Sequence, residues 1–195
     1  MKTTRLEAFS DGVIAILITI MVLELKTPPG DDWTALRSLA PRFCSYLLSF
    51  VMLGIYWNNH HHLIHMTERV SGGVLWANLH LLFWLSLIPV GTAWIGETEL
   101  APLPIAVYGA VLMFAGTAYY ILKTAIIRVQ GPHSALQVAL GSDAKGIVSV
   151  LMYAVAIPLA FYSAAIASAI YVAVACVWLV PDRRIEGRVA AHERQ

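Results

Sequence analysis

The sequence predicts an all-α integral membrane protein. Of its 195 residues, 58% are hydrophobic and only 13% are charged, and the mean hydropathy is +0.69. A soluble domain carries about 25% charged residues, so this chain lacks the means to cover a water-soluble surface. Its net charge of +1 offers no basic excess for binding a nucleic acid. Cys44 and Cys176 lie far apart in apolar stretches, which argues against a disulfide scaffold.

The first predicted helix has an unusually short apolar segment. About 20 such residues are needed to cross the hydrocarbon core, but only twelve uncharged residues separate Asp11 from Glu24. A signal peptide is one interpretation, although no small-residue cleavage site follows Leu25. A helix shielded from lipid by other protein is the interpretation that fits better.

The remaining apolar runs complete a single six-helix transmembrane domain over 1–195. The uncharged run 146–181 would form one helix of about 54 Å, longer than any bilayer core, so it is predicted to fold back after Pro158 as two helices. The six predicted helices are 6–25, 33–66, 70–96, 100–128, 145–162 and 164–184.

Lysine and arginine are distributed unevenly between the two sides of the predicted bundle. Ten of the thirteen fall on the side that carries both termini, and this bias predicts cytoplasmic termini in a multi-pass protein of the cell membrane. The other side carries Lys26, Arg37 and Arg42 together with the acidic residues Glu24, Asp31, Asp32, Glu97 and Glu99.

The first helix contains the most informative side chains. Arg5 and Asp11 lie at its cytoplasmic margin, where an ionisable group needs a partner, and we expect these two residues to be coupled. The alternative is that Ser10 or Asp11 caps the helix. One face of the helix, at helical spacing, predicts either the lining of a narrow pore or a packed seam in which Thr19 bonds to its own backbone. This face consists of Gly12, Ile16, Thr19, Ile20 and Leu23.

A second cluster contains the histidines His60, His61 and His62, which follow Tyr56-Trp57-Asn58-Asn59. His61 and His65 stand at i and i+4, a spacing that suits a metal ion. Glu68 is the one carboxylate close by along the chain, however. An aromatic and polar belt at the membrane interface is the alternative that we favour, with no bound metal and no cofactor.

Asn78 and His80 interrupt the otherwise apolar third helix, so they are predicted to face protein. Intramembrane hydrogen bonding is the default role for them, and proton relay is the alternative. The chain has no nucleophile elbow, P-loop or zinc-hydrolase motif, and we predict no enzymatic activity. It also has no Thr-Val-Gly-Tyr-Gly filter of the usual potassium channels.

The segment that contains Arg5, Phe9, Ser10 and Asp11 resembles the signature Arg-x-x-x-Phe-Ser-Asp of the endosomal and lysosomal potassium channel family (transmembrane protein 175) and its bacterial homologues. The similarity continues through Ala15-Ile16 and Thr19, through the segment Tyr56-Trp57-x-x-His60-His61, and through the stretch from Asn78-Leu79 to Leu87-Ile88-Pro89. It covers the first half of the chain, while the last three helices match in hydropathy and number.

The resemblance implies a potassium-selective leak channel without a pore loop, formed by the first helix of each subunit in a homotetramer. Its partners would be potassium ions, the lipid bilayer and further copies of itself. The resemblance places the pore constriction at Ile16, Ile20 and Leu23 and the selectivity layer at Thr19. It also implies a structural network of Arg5, Phe9, Ser10, Asp11, Trp57, His61 and Asn78.

The sequence is also compatible with two other classes of protein. A proton-coupled secondary transporter would use Asp11, Asn78 and His80, but such proteins place charged residues near the midplane, where this chain is apolar. A membrane enzyme with a histidine-bound metal would need carboxylates beside the histidines.

Overall fold

The structure is a computed structural model that describes residues 3–131 and 144–179, and every regular element within these ranges is a helix. The all-α prediction is therefore confirmed. The helices are α1 (Thr3–Leu23), α2 (Trp33–Ser38), α3 (Ala40–His65), α4 (Gly72–Ser86), α5 (Ile88–Glu97), α6 (Pro102–Gln130), α7 (Ala144–Tyr162) and α8 (Ala164–Leu179). The end of the last predicted helix, 180–184, lies outside the described residues.

Four helical segments are long and apolar enough to cross a membrane: Thr3–Leu23, Gly72–Glu97, Pro102–Gln130 and Ala144–Tyr162. The second of them comprises α4 and α5 together. Helix α8 is apolar but shorter. Helix α3 has 26 residues, but its last turns carry the asparagines and histidines.

Two of the predicted helices are divided in the structure, and a proline explains each division. The predicted helix 33–66 breaks at Leu39, and Pro41 lies in the first turn of α3. The predicted helix 70–96 breaks at Leu87, and Pro89 lies in the first turn of α5. Proline has no backbone N–H to donate to the preceding turn, so it is accommodated where a helix begins.

Helix α6 is the central helix of the bundle, and it packs against α4, α5, α7 and α8. Small residues on α6, such as Gly109, let the neighbouring helices approach closely. Tyr171 of α8 reaches across Gly109, and its hydroxyl donates to Ile105 O at 3.0 Å. The phenol group is thereby satisfied although the side chain is buried.

Helix α1 packs on one side of this bundle, against α3, α4 and α5. The residues of its inward face recur every three or four positions, the spacing that places side chains on one side of a helix. That face consists of the buried residues Leu6, Ser10, Ile14, Leu17 and Met21. The opposite face of α1 is left uncovered by the described chain.

Replacing Gly109 with alanine is expected to destabilise the bundle. The added methyl group would clash with the buried phenol of Tyr171 and lie 3.2 Å from Ile157 Cγ1. Overpacking of this kind costs about 1–3 kcal/mol, so Gly109→Ala should lower the melting temperature in detergent micelles. Gly116→Ala is the control on the same helix, because its methyl group would meet Val150 at an ordinary 3.4 Å. Equal melting temperatures would contradict the close α6–α8 contact.

Candidate functional site: the polar contacts of the first helix

A chain of buried hydrogen bonds joins α1 to α4 and α3. The Ser10 hydroxyl donates to Leu6 O at 2.9 Å. Asn78 Nδ2 donates to Ser10 Oγ at 2.9 Å, and Asn78 Oδ1 lies 2.7 Å from His60 Nε2. Ser10, Asn78 and His60 are all completely buried. Since buried polar groups are costly unless they are paired, these hydrogen bonds specify how the three helices meet.

The direction of each hydrogen bond follows from the first one. Because the Ser10 proton is given to the backbone, Ser10 Oγ can only accept from Asn78, and the amide nitrogen of Asn78 must face it. The amide oxygen of Asn78 then faces His60, so His60 must carry its proton on Nε2. A single arrangement of protons therefore satisfies all three bonds.

Asp11 and Glu7 of α1 make a second set of contacts, both with α3. Trp57 Nε1 donates to Asp11 Oδ1 at 3.1 Å. His61 Nδ1 lies 3.1 Å from Glu7 Oε1. The indole of Trp57 also stacks on the imidazole of His61, with ring centroids 6.0 Å apart. Glu7, Asp11 and His61 are the residues of the described chain that are grouped closely enough to hold a metal ion.

Arg5 and Phe9 are not part of these contacts. Asp11 was expected to pair with Arg5, but Asp11 is bound by Trp57, and Arg5 forms no ion pair within the described residues. Positions six residues apart lie on different faces of a helix, which explains the difference. Arg5 is exposed, and Phe9 is 52% exposed on the same outward face.

The predicted pore residues all lie on the uncovered face of α1. Ile16 is 57% exposed and Leu23 is 78% exposed, and Ile20 and Thr19 are exposed beside them. The Thr19 hydroxyl donates to Ile16 O at 2.9 Å. The packed-seam interpretation predicted this bond between Thr19 and its own helix, and the bond is present. A packed seam is not observed within the described chain, because none of its helices packs on this face.

Two members of the site were missed in the sequence analysis, Glu7 and His60. The signal for Glu7 was its position one turn before Asp11, which matches the one-turn spacing of Trp57 and His61 on the facing helix. His80, by contrast, does not join Asp11 and Asn78. It is exposed on another face of α4, where its Nε2 accepts from Trp84 Nε1 at 2.9 Å.

An all-helical bundle with several membrane-length apolar helices is the architecture of a multi-pass membrane protein. The family model described as "Endosomal/lysosomal potassium channel TMEM175" matches residues 5–89, the region that contains the contacts above. A potassium channel of Chryseobacterium sp. (strain P1-3) is 52% identical over 186 residues, which are 95% of this chain and 97% of that protein. The chain therefore belongs to the TMEM175 family, a family of ion channels, and the resemblance in the first helix is confirmed.

Two further comparisons extend this relationship. The crystal structure of a lysosomal potassium-selective channel TMEM175 homologue from Chamaesiphon minutus superposes with a TM-score of 0.76 and 26% sequence identity, covering 91% of this chain and 96% of that one. The human endosomal/lysosomal proton channel TMEM175 is 35% identical over 92 residues, which are 40% of this chain and 18% of the human protein.

Asn78→Ala is expected to destabilise the protein, because it leaves His60 Nε2 buried without a partner and removes the hydrogen bond that Ser10 Oγ accepts. A buried group left unsatisfied costs about 1–3 kcal/mol. The melting temperature should fall clearly below that of wild type. His80→Ala, two residues on and exposed, should melt like wild type. If the two variants had the same melting temperature, the buried hydrogen bonds of Asn78 would not be what holds α1 against α3 and α4.

Proposed function

We propose that the protein is a potassium-selective leak channel whose pore is lined by the outward face of α1 from each of four subunits. The observation that carries this proposal is the uncovered face of α1 between Gly12 and Leu23, which is apolar apart from a single hydroxyl layer at Thr19. The potassium-channel relatives support potassium as the ion that passes.

The length of α1 favours an axis shared between subunits over contact with lipid. The uncharged stretch 12–23 is about 18 Å long, against a hydrocarbon core of about 30 Å. If this helix faced lipid, Asp11 and Glu24 would both be drawn into or against the hydrocarbon, which is costly. A water-filled axis between four copies removes that cost and covers the exposed apolar side chains at the same time.

Ile16 and Thr19 would act on the ion in different ways. Four Ile16 side chains around an axis supply no oxygen to replace the water around an ion, so width and wetting control passage there, with Ile20 and Leu23 further along the pore. Thr19 gives its proton to Ile16 O, and its oxygen therefore presents only lone pairs outward. A ring of such acceptors favours a cation over an anion.

The excess of lysine and arginine on one side supports an orientation in the cell membrane with both termini on the cytoplasmic side. At the other end of α1, Lys26 Nζ lies 3.2 Å from Glu97 Oε1 in an exposed ion pair. The basic charge of Lys26 is thus balanced locally. Three other acidic residues of that rim, Glu24, Asp31 and Asp32, would concentrate cations at the entrance.

The assembly is expected to be a homotetramer in mild detergent, because a single chain leaves the α1 face exposed. Light scattering coupled to size-exclusion chromatography, with the detergent contribution subtracted, measures the mass of the protein. Four copies of the 21.4 kDa chain are expected in one particle. A monodisperse monomer that still conducts potassium in liposomes would rule out the shared pore.

Enlarging or wetting the constriction is expected to change ion flow. Ile16→Ala or Ile16→Asn should raise cation flux in liposomes and shift the reversal potential towards less discrimination between potassium and sodium. Thr19→Val removes the hydroxyl layer at nearly constant volume, so selectivity should fall with little change in pore width. Reversal potentials should be measured together with melting temperatures.

The matched control for Ile16 is Ile166→Ala, an isoleucine of α8 that is also exposed in the single chain. Flux and reversal potential should remain those of wild type in this control. A core position would behave differently from a pore position: Ile16→Ala would cost about 2–5 kcal/mol of stability and leave selectivity unchanged. That result would show that Ile16 lies in a packed interface and would refute its assignment to the pore.

A further inference from the structure

We infer that Glu7, Asp11 and His61 form a binding site for a divalent transition-metal ion of the zinc class, placed between α1 and α3. The inference rests on contacts within one chain and does not depend on the proposed channel function. Along the sequence the histidines of α3 have one carboxylate nearby, Glu68, and the fold brings two more to His61 from α1.

The geometry of the three side chains suits such an ion. One ligand atom from each residue lies within 4.8 Å of the other two. Glu7 Oε1 and His61 Nδ1 are 3.1 Å apart. Ligands bound tetrahedrally at 2.0–2.1 Å from zinc are separated by about 3.3 Å, so this pair is already at nearly the required spacing. An imidazole nitrogen with two carboxylates favours zinc over calcium or magnesium, which prefer oxygen ligands throughout.

Two of the ligands are held in place by their neighbours. The imidazole of His61 lies between the rings of Trp57 and His65, with centroids 6.0 Å away on both sides and interplanar angles of 26° and 22°. Trp57 Nε1 also donates to Asp11 Oδ1 and so orients that carboxylate. Hydrogen bonds that orient metal ligands are a regular part of metal sites and raise their affinity.

The charge of the cluster favours a cation. Glu7 and Asp11 are one turn apart on α1, a spacing at which like charges repel. Among the described residues, neither carboxylate forms an ion pair with a lysine or arginine. Glu7 is also mostly buried, with 24% of its side chain exposed, so water screens this repulsion incompletely. A divalent ion bound by both carboxylates and by His61 would relieve the repulsion.

The site lies beside the proposed pore and not in it. Asp11 is five residues before Ile16, which places the two about 140° apart around α1. A bound ion would therefore connect α1 to α3 near the beginning of α1 and leave the outward face free.

Zinc titration of the purified full-length protein tests the site, with the affinity tag removed because polyhistidine itself binds zinc. Isothermal titration calorimetry should show one Zn²⁺ per chain. Glu7→Gln, Asp11→Asn and His61→Phe should each weaken binding at least tenfold. These substitutions keep the shape of the side chain, and Asp11→Asn keeps an acceptor for Trp57. Size-exclusion profiles identify any variant that fails to fold. If Asp11→Asn fails to fold, the two single variants Glu7→Gln and His61→Phe decide the outcome.

Two histidine variants serve as controls. His65→Phe keeps the ring that stacks on His61 but removes its nitrogens, and His80→Ala removes an exposed histidine of α4; both should bind zinc like wild type. The inference would be overturned if wild type showed no saturable binding, or if Glu7→Gln and Asp11→Asn bound zinc as tightly as wild type. Loss of binding in His65→Phe equal to that in His61→Phe would also overturn it, since the site would then be a histidine pair of α3 alone.

Discussion

The buried hydrogen bonds from Ser10 through Asn78 to His60 fix the rotation of α1 about its own axis. Side chains of a helix keep constant angular positions, so turning Ser10 towards α4 turns Ile16 and Thr19 away from the bundle. This one orientation determines which face of α1 points outward and forms the proposed pore. It also places Glu7 and Asp11 against α3.

Hydrophobic packing alone would not select that orientation. The membrane part of α1, from Gly12 to Leu23, is apolar on every side except at Thr19. In a bilayer, lipid tails and protein side chains are similarly apolar, so exchanging one apolar face of α1 for another changes the free energy little. Hydrogen bonds between buried polar groups are directional and are costly to break where no water can replace them. The polar residues near the beginning of α1 therefore decide how its apolar remainder is turned.

Composition and motif were sufficient for the fold class and for the family, since both depend on residues close together in the sequence. The contacts of the site depend on distant residues. Glu7 meets His61 only because α1 and α3 lie side by side with one particular rotation, which no local pattern specifies. The expected pairing of Arg5 with Asp11 is absent from the described single chain for a local reason, because their spacing of six residues separates them around the helix. The break at Leu87 could have been expected from Pro89.

The central claim is that the outward face of α1 borders water and not lipid. Accessibility of single cysteines to a cationic, membrane-impermeant thiol reagent tests it directly, in a background where Cys44 and Cys176 are replaced by serine. Thr19→Cys should react and block potassium flux, whereas Val155→Cys, on an exposed apolar position of α7, should stay unmodified in lipid. Equal protection of both cysteines in a conducting protein would contradict a pore lined by α1.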